Sequence, residues 1–295
     1  MSFQVFAELM IAGLGAGAIY SMIAMGYNII FATSGVLNFA QGEFYMLGTM
    51  VGVLLYVTVG LPAALALVAT VIVVAVLAAL EHPLAVQPAA RSGEEAFGWV
   101  VATFGFSILL SSATAMLMGP RLRPFPDIID LGTWQVGGVR IDGYRISIVL
   151  VAIVTAVALT LWLERSATGQ ALNAIHEDQD AARLRGIPVS RLSVLSFAVG
   201  GAIVAMIGFL SAPLTTASAA VGLTMGLKGF IAAALGGIPS IKGALVGGLL
   251  LGLIETFSTH WAGGSFRNAS IFLVLVLVLA VRPVGLFGRG SVRAV

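Results

Sequence analysis

ERSATGQALNAIHEDQDAARLRGIPVSR, residues 164 to 191, is the densest run of charge in the chain, and it lies between two long apolar runs, Ile146 to Leu163 and Leu192 to Leu227. A polar island in that position separates two membrane spans. Its last part carries the marks of one short helix: Asp178 is suited to accept the free backbone donors of a first turn, and Gly186 followed by Pro188 stops it. Glu177, Asp178 and Asp180 stand at its start, Arg183 and Arg185 at its end. That order suits the helix macrodipole, so a segment of roughly two turns can hold its shape where a bare peptide of the same length would not. A rigid, water-facing helix between two spans is a grip for a second protein.

The surrounding chain is built for a bilayer. Of 295 residues, 59% are hydrophobic and 9% charged, too little polar surface to cover a soluble globule of this size. Leu9 to Gly42, Phe44 to Leu80 and Phe97 to Pro120 are further charge-free runs near or above the ~18 to 20 residues that cross a hydrocarbon core. The expected class is an all-α polytopic membrane protein with about 8 to 10 crossings, some of them discontinuous, forming one domain over residues 1 to 295. The net charge of +2 rests on few groups, mostly loop arginines, and calls for no nucleic-acid partner. There is no cysteine, which excludes thiolate chemistry and cysteine-ligated metals. His82, His176 and His260 are far apart and lack metal-site spacing. The start, MSFQVFAEL, lacks the basic region of a cleavable signal peptide, so its apolar run is expected to remain as a span over about Val5 to Tyr27.

Two stretches interrupt the apolar pattern. TSGVLNFAQGEFYMLG, residues 33 to 48, sets Asn38, Gln41 and Glu43 among glycines, beside Phe39, a set that no lipid-facing helix would carry. It is expected to be a broken, protein-buried segment. LTMGLKGFIAAALGGI, residues 223 to 238, is short for a full crossing, contains Lys228 and ends before Pro239. One interrupted, glycine-rich region in each half of a transporter-like chain points to a central pathway, for which Asn38, Phe39, Gln41, Glu43 and Lys228 are the candidates. Glu255 lies inside the following apolar run; it and Lys228 suit a buried ion pair, and Lys228 equally suits a substrate carboxylate. GGIPSIKGA, residues 236 to 244, resembles a phosphate loop only superficially, since the G-K-[ST] ending is missing, and is better taken as a tight bend. No nucleophile, base and acid constellation is present, and no cofactor is expected.

Between these, Gly60, Leu61 and Pro62 divide residues 44 to 80 into two helices, Glu81 to Glu95 is expected to be a polar connection, and WQVGGVRI, residues 134 to 141, a small hairpin. Arg165, Arg183, Arg185 and Arg191 of the island and Arg282, Arg289 and Arg293 of the tail are expected on the cytoplasmic side, which with four segments between them gives about nine crossings and an external N-terminus.

Four motifs then carry a resemblance. SGVLNFAQGEFYMLG (residues 34 to 48), TGQALNAIHEDQDAARLRGIP (168 to 188), GLKGFIAAALGGIPSIKGALVGGLLLG (226 to 252) and RPVGLFG (282 to 288) resemble, in this order and nearly end to end, the inner-membrane permeases of branched-chain amino acid ABC importers, closest to the first of the two permeases in such systems. The resemblance implies a bacterial inner-membrane protein with a cytoplasmic C-terminus, paired with a second related permease, two cytoplasmic ATPases and a periplasmic substrate-binding protein for Leu, Ile or Val. It implies that the island is a coupling loop whose Asp178, Ala181, Ala182, Arg183, Leu184 and Gly186 seat in a groove of the ATPase, which alone hydrolyses ATP. Relatives with similar motifs resemble permeases for urea, short amides and aromatic acids. A stand-alone ion-coupled carrier or channel is the other class open at this point, with Glu43 and Glu255 as its only intramembrane acids.

Overall fold

A computed structural model describes residues 2–91, 95–129, 131–282 and 284–288. Arg289 and Arg293, on which the expected side of the tail partly rests, lie outside the described residues. The described chain is all-α apart from one hairpin. Its helices are α1 (Phe3–Ser34), α2 (Gln41–Gly52), α3 (Ala63–Glu81), α4 (Gln87–Arg91), α5 (Glu95–Met118), α6 (Gly143–Arg165), α7 (Ala167–Glu177), α8 (Gln179–Leu184), α9 (Val189–Thr215), α10 (Val221–Gly236), α11 (Ile241–Ala262) and α12 (Arg267–Val281). Among the described residues six helices are long and apolar enough to cross a membrane, beginning at Phe3, Ala63, Gly98, Gly143, Val189 and Ile241, and shorter apolar helices run over 221–236 and 269–278. The protein is a multi-pass membrane protein.

The first helix runs on to Ser34, past the expected end near Tyr27, because residues 28–34 are largely buried and follow without a breaker until Gly35, at φ +66°. The expected polar connection after Glu81 is corrected as well. Helix α3 continues through a π-helical segment, His82–Val86, into α4, and Glu81 and His82 are buried. Another π segment, Val53–Thr58, extends α2 up to the turn at Gly60.

Two compact units share the chain. One comprises residues 1–28, 129–156 and 228–295. Its seam is α1 against α11: a Cβ added at Gly17 would lie 2.7 Å from Gly248 O, and Ser21 Oγ donates to Leu245 O at 2.8 Å. Small residues let these backbones touch, which is how helices associate without a hydrophobic driving force between them. Asn28 Nδ2 donates to Ser240 O at 2.8 Å, fixing the bend between α10 and α11, where Ser240 Oγ caps α11 by accepting from Gly243 N at 3.0 Å. The phosphate-loop lookalike is this bend. Strands β1 (Thr133–Val136) and β2 (Val139–Asp142) pair antiparallel around Gly137 and Gly138, both at positive φ. Glu8 Oε1 accepts from Arg140 N at 3.0 Å and so fastens the hairpin to α1.

The other unit comprises residues 29–128 and 157–227. Helix α9 is its axis, with α2 and α3 packed along it. A Cβ added at Gly48 would lie 2.5 Å from Ala205 O, and one at Gly208 would lie 2.5 Å from Tyr45 O. Tyr45 OH bonds Ser211 Oγ at 2.8 Å and Thr215 Oγ1 at 2.9 Å, so the phenol is satisfied inside the packed face. The outer faces of α3 and α5 carry Leu65, Val68, Ile72, Val76, Phe104 and Ile108, all exposed. Lipid is the solvent for side chains of that kind.

Candidate functional site

The island folds into two helices, the short one expected in its last part and α7 before it. Ser166 Oγ accepts from Gly169 N at 2.9 Å and caps α7, whose Leu172 and Ile175 point inward. Asp178 Oδ1 then accepts from both Asp180 N and Ala181 N at 2.9 Å, opening α8. The helix ends where Gly186 takes φ +79°, with Gly186 N donating to Arg183 O and Ile187 N to Ala182 O. The faces of α8 differ. Ala182 is buried against Ile175 and Val189, flanked by Ile187 and Leu192, while Leu184 is 90% exposed. The expectation that Ala182 belongs to the outward surface is therefore corrected: one turn of helix cannot point residues 182 and 184 the same way, and the small side chain at 182 lets α8 lie down on α7 and α9. Asp180 and Arg183 pair loosely on the surface, at 3.4 Å.

The two interrupted regions meet. A Cβ at Gly42 would lie 2.7 Å from Gly226 Cα, and one at Gly222 would lie 2.5 Å from Glu43 Cδ, so the start of α2 and the first half of α10 touch through glycine backbones. Around this crossing the candidate polar residues are buried and mostly bonded. Ser107 Oγ of α5 donates to Glu43 Oε1 at 3.2 Å, and Gln41 Nε2 donates to Gly200 O at 3.3 Å. Asn38 turns the chain between α1 and α2, its Oδ1 accepting from Ala40 N at 2.8 Å while its Nδ2 donates to Glu81 Oε2 at 2.6 Å. Phe39 stacks on Trp99 and meets Phe104 edge-on. Glu43 Oε2, Gln41 Oε1 and Glu81 Oε1 have no hydrogen-bond partner among the described residues. Buried acceptors of that kind are unusual in a mere packing interface.

Glu81 escaped the sequence reading because it begins a run that looks polar. The signal was the spacing behind it: Ala66, Thr70, Val74 and Ala78 are the buried residues of α3, and Glu81 continues their face. Ser107 had no signal, being one hydroxyl among many in α5.

In the other unit, Lys228 Nζ lies 2.8 Å from Glu255 Oε1 and 3.0 Å from Tyr20 OH, with the ammonium 5.1 Å from the Tyr20 ring centroid. Both charged side chains are buried. Glu255 borders a cavity of about 400 Å³ shared with Leu9, Arg145, Thr259 and His260, and Lys228 does not line it. Among the described residues, no group of three or more His, Asp or Glu side chains is placed to hold a metal ion.

Residues 9–281 match the family model described as the permease component of branched-chain amino acid transport systems. The chain is 32% identical to the high-affinity branched-chain amino acid transport system permease protein LivH of Escherichia coli (strain K12), over 99% of both chains. It is 31% identical to the corresponding permease protein BraD of Pseudomonas aeruginosa, over 98% of both. A probable branched-chain amino acid transport permease, LivH of Methanocaldococcus jannaschii, is 24% identical over 90% of this chain and 88% of that one. With residues 9–281 matched by that model and 31–32% identity to these permeases over nearly the full length of both chains, the chain belongs to the family of branched-chain amino acid transport system permease components.

Proposed function

We propose that the chain forms half of the translocation pathway of an importer for branched-chain amino acids or a closely related small solute, driven by ATP hydrolysis on separate subunits. The near-complete, end-to-end correspondence with LivH and BraD carries this reading. A second related permease completes the pathway, two ATPase subunits work on the cytoplasmic face, and a periplasmic binding protein delivers the solute. The protein sits in the bacterial inner membrane with the island and the C-terminus in the cytoplasm, as the arginines of both favour.

Helix α8 is the coupling element in this reading. A permease can be driven by another subunit only through a contact that differs between the states of that subunit. A segment capped at Asp178, stopped at Gly186 and seated through Ala182 moves as a body, and Leu184 is the side chain it offers. Asn38, Phe39, Gln41 and Glu43 brace the route through the unit built on α9, and Lys228 with Glu255 holds the other unit together.

Reconstituting the chain with its neighbouring permease, ATPases and binding protein in proteoliposomes tests the assignment. L-leucine, L-isoleucine or L-valine is expected to accumulate with ATP and not without it. Leu184→Asp is expected to assemble and to lose binding-protein-stimulated hydrolysis and uptake together, because it buries a charge in the contact. Accumulation by the chain alone, driven by an ion gradient, would overturn the reading, and full transport by Leu184→Asp would remove α8 from the coupling path.

A further inference from the structure

Behind α8 lies a cavity of about 860 Å³, walled by α8, the break after α1, the π segment after α3, the start of α5 and the start of α9. Its size is within the ~300 to 1,000 Å³ of small-molecule sites. The cationic part of the wall is Arg183 and Arg191, and the anionic part is Asp180. Val36, Val86 and Trp99 supply an apolar part. His82, more than nine-tenths buried, also lines the space, and its Nδ1 has no hydrogen-bond partner among the described residues. The loose surface pair of Asp180 with Arg183 leaves both groups able to exchange partners, since exposed pairs of that geometry contribute about 0 to 1 kcal/mol.

This set selects for one kind of ligand. Two guanidinium groups suit a carboxylate. An acid beside them repels a plain anion and suits an ammonium group. Apolar side chains between the two suit an aliphatic body. We propose that the cavity binds a free amino acid of the transported class from the ATPase side of the membrane and acts as a product sensor. The proposal rests on the reading of α8 as the coupling helix. A ligand held between Asp180 and Arg183 on α8 and Arg191 on α9 favours the position of α8 in which those groups converge. Any state of the transporter that requires α8 to move away is then less populated, and transport slows as product accumulates.

The test uses the assembled complex in proteoliposomes with the ATPases facing outward and the loaded binding protein inside. Outside L-leucine is expected to lower stimulated ATP hydrolysis, each variant being compared with its own rate without outside leucine. Arg191→Gln is expected to raise the half-inhibiting concentration about tenfold, the worth of one charge-assisted hydrogen bond. Gln87→Trp, which fills the cavity from a half-buried position, is expected to abolish the inhibition. Radiolabelled L-leucine is expected to bind the complex without binding protein, and less to Arg191→Gln.

Uptake of leucine that continues unslowed by leucine on the ATPase side overturns this inference alone. Absence of any leucine uptake overturns the proposed function instead. A zwitterionic lipid headgroup shares the ligand chemistry, so the measurements are repeated in vesicles with and without phosphatidylethanolamine. If Arg191→Gln changes activity only where that lipid is present and leucine has no effect, the cavity is a lipid site and the sensor is refuted.

Discussion

Removing either partner of the Lys228 and Glu255 pair should damage the protein more than removing both. The two groups are 2.8 Å apart, with side chains 7% and 2% exposed, so neither regains water when the other is neutralised. Breaking a buried pair from one side costs about 3 to 5 kcal/mol, most of it for the charge that stays behind. Replacing both with apolar residues of similar volume is often neutral or stabilising. Here the double variant also forfeits the bond from Lys228 Nζ to Tyr20 OH, a loss of roughly 1.5 to 3 kcal/mol for a hydrogen bond to a charged group. Lys228→Met and Glu255→Gln are thus each expected to lower the melting temperature by on the order of 10 °C. The double variant should lie less far below the wild type than either single variant. Size-exclusion chromatography of the detergent-solubilised protein after heating steps reads the midpoint, and the cycle of four proteins gives the coupling energy. A double variant as unstable as the sum of the singles would show that the two charges do not compensate one another, and the ion pair would lose its structural role.

Gly186→Val should disfavour the φ of +79° that ends α8, by roughly 1 to 3 kcal/mol, and uncouple hydrolysis from uptake while leaving membrane insertion intact; Gly186→Asn, which tolerates that conformation, should retain most transport. Asn38→Ala removes the donor to Glu81 and the acceptor for Ala40 N together, so a loss of about 2 to 4 kcal/mol is expected in thermal melts, against about 1 kcal/mol for Glu81→Gln; equal effects would mean that the Asn38 turn is not held by its side chain. Gly48→Leu should abolish monodisperse expression, since even a Cβ there meets Ala205 O at 2.5 Å, whereas Gly105→Leu, with open space around it, should express normally. Ser166→Ala should cost about 1 kcal/mol through loss of the α7 cap, visible as faster amide exchange over residues 167–170.

The fold was legible where one physical rule governed many residues. Length and apolarity place the spans, Gly60 to Pro62 divides α2 from α3, and Gly137 with Gly138 marks the hairpin turn. The cap at Asp178 and the stop at Gly186 were legible because backbone donors and a positive φ have few residue types to satisfy them. What escaped were contacts set by tertiary placement. A carboxylate at the end of an apolar helix, such as Glu81, looks like the start of a loop until Asn38, far away in sequence, supplies its donor. A short amphipathic segment gives no phase by itself, so nothing in the sequence around Ala182 turns it inward; its face is decided by Ile175 and Val189, which belong to the neighbouring helices. Nor does a count of charges show that Arg183 and Arg191 share a cavity wall with Val86 and Trp99.

The glycine seams have a genetic consequence. At Gly17, Gly42, Gly48 and Gly208 the space beyond Cα is already taken by the backbone of a neighbouring helix. Glycine alone has no Cβ, so every missense change at these codons inserts an atom where there is no room, and none is conservative. Deleterious mutation in the gene is therefore concentrated in a few codons of its most monotonous, apolar stretches, while the chemically varied exposed surface of the island is freer to drift outside positions 178, 180, 183, 184, 186 and 191.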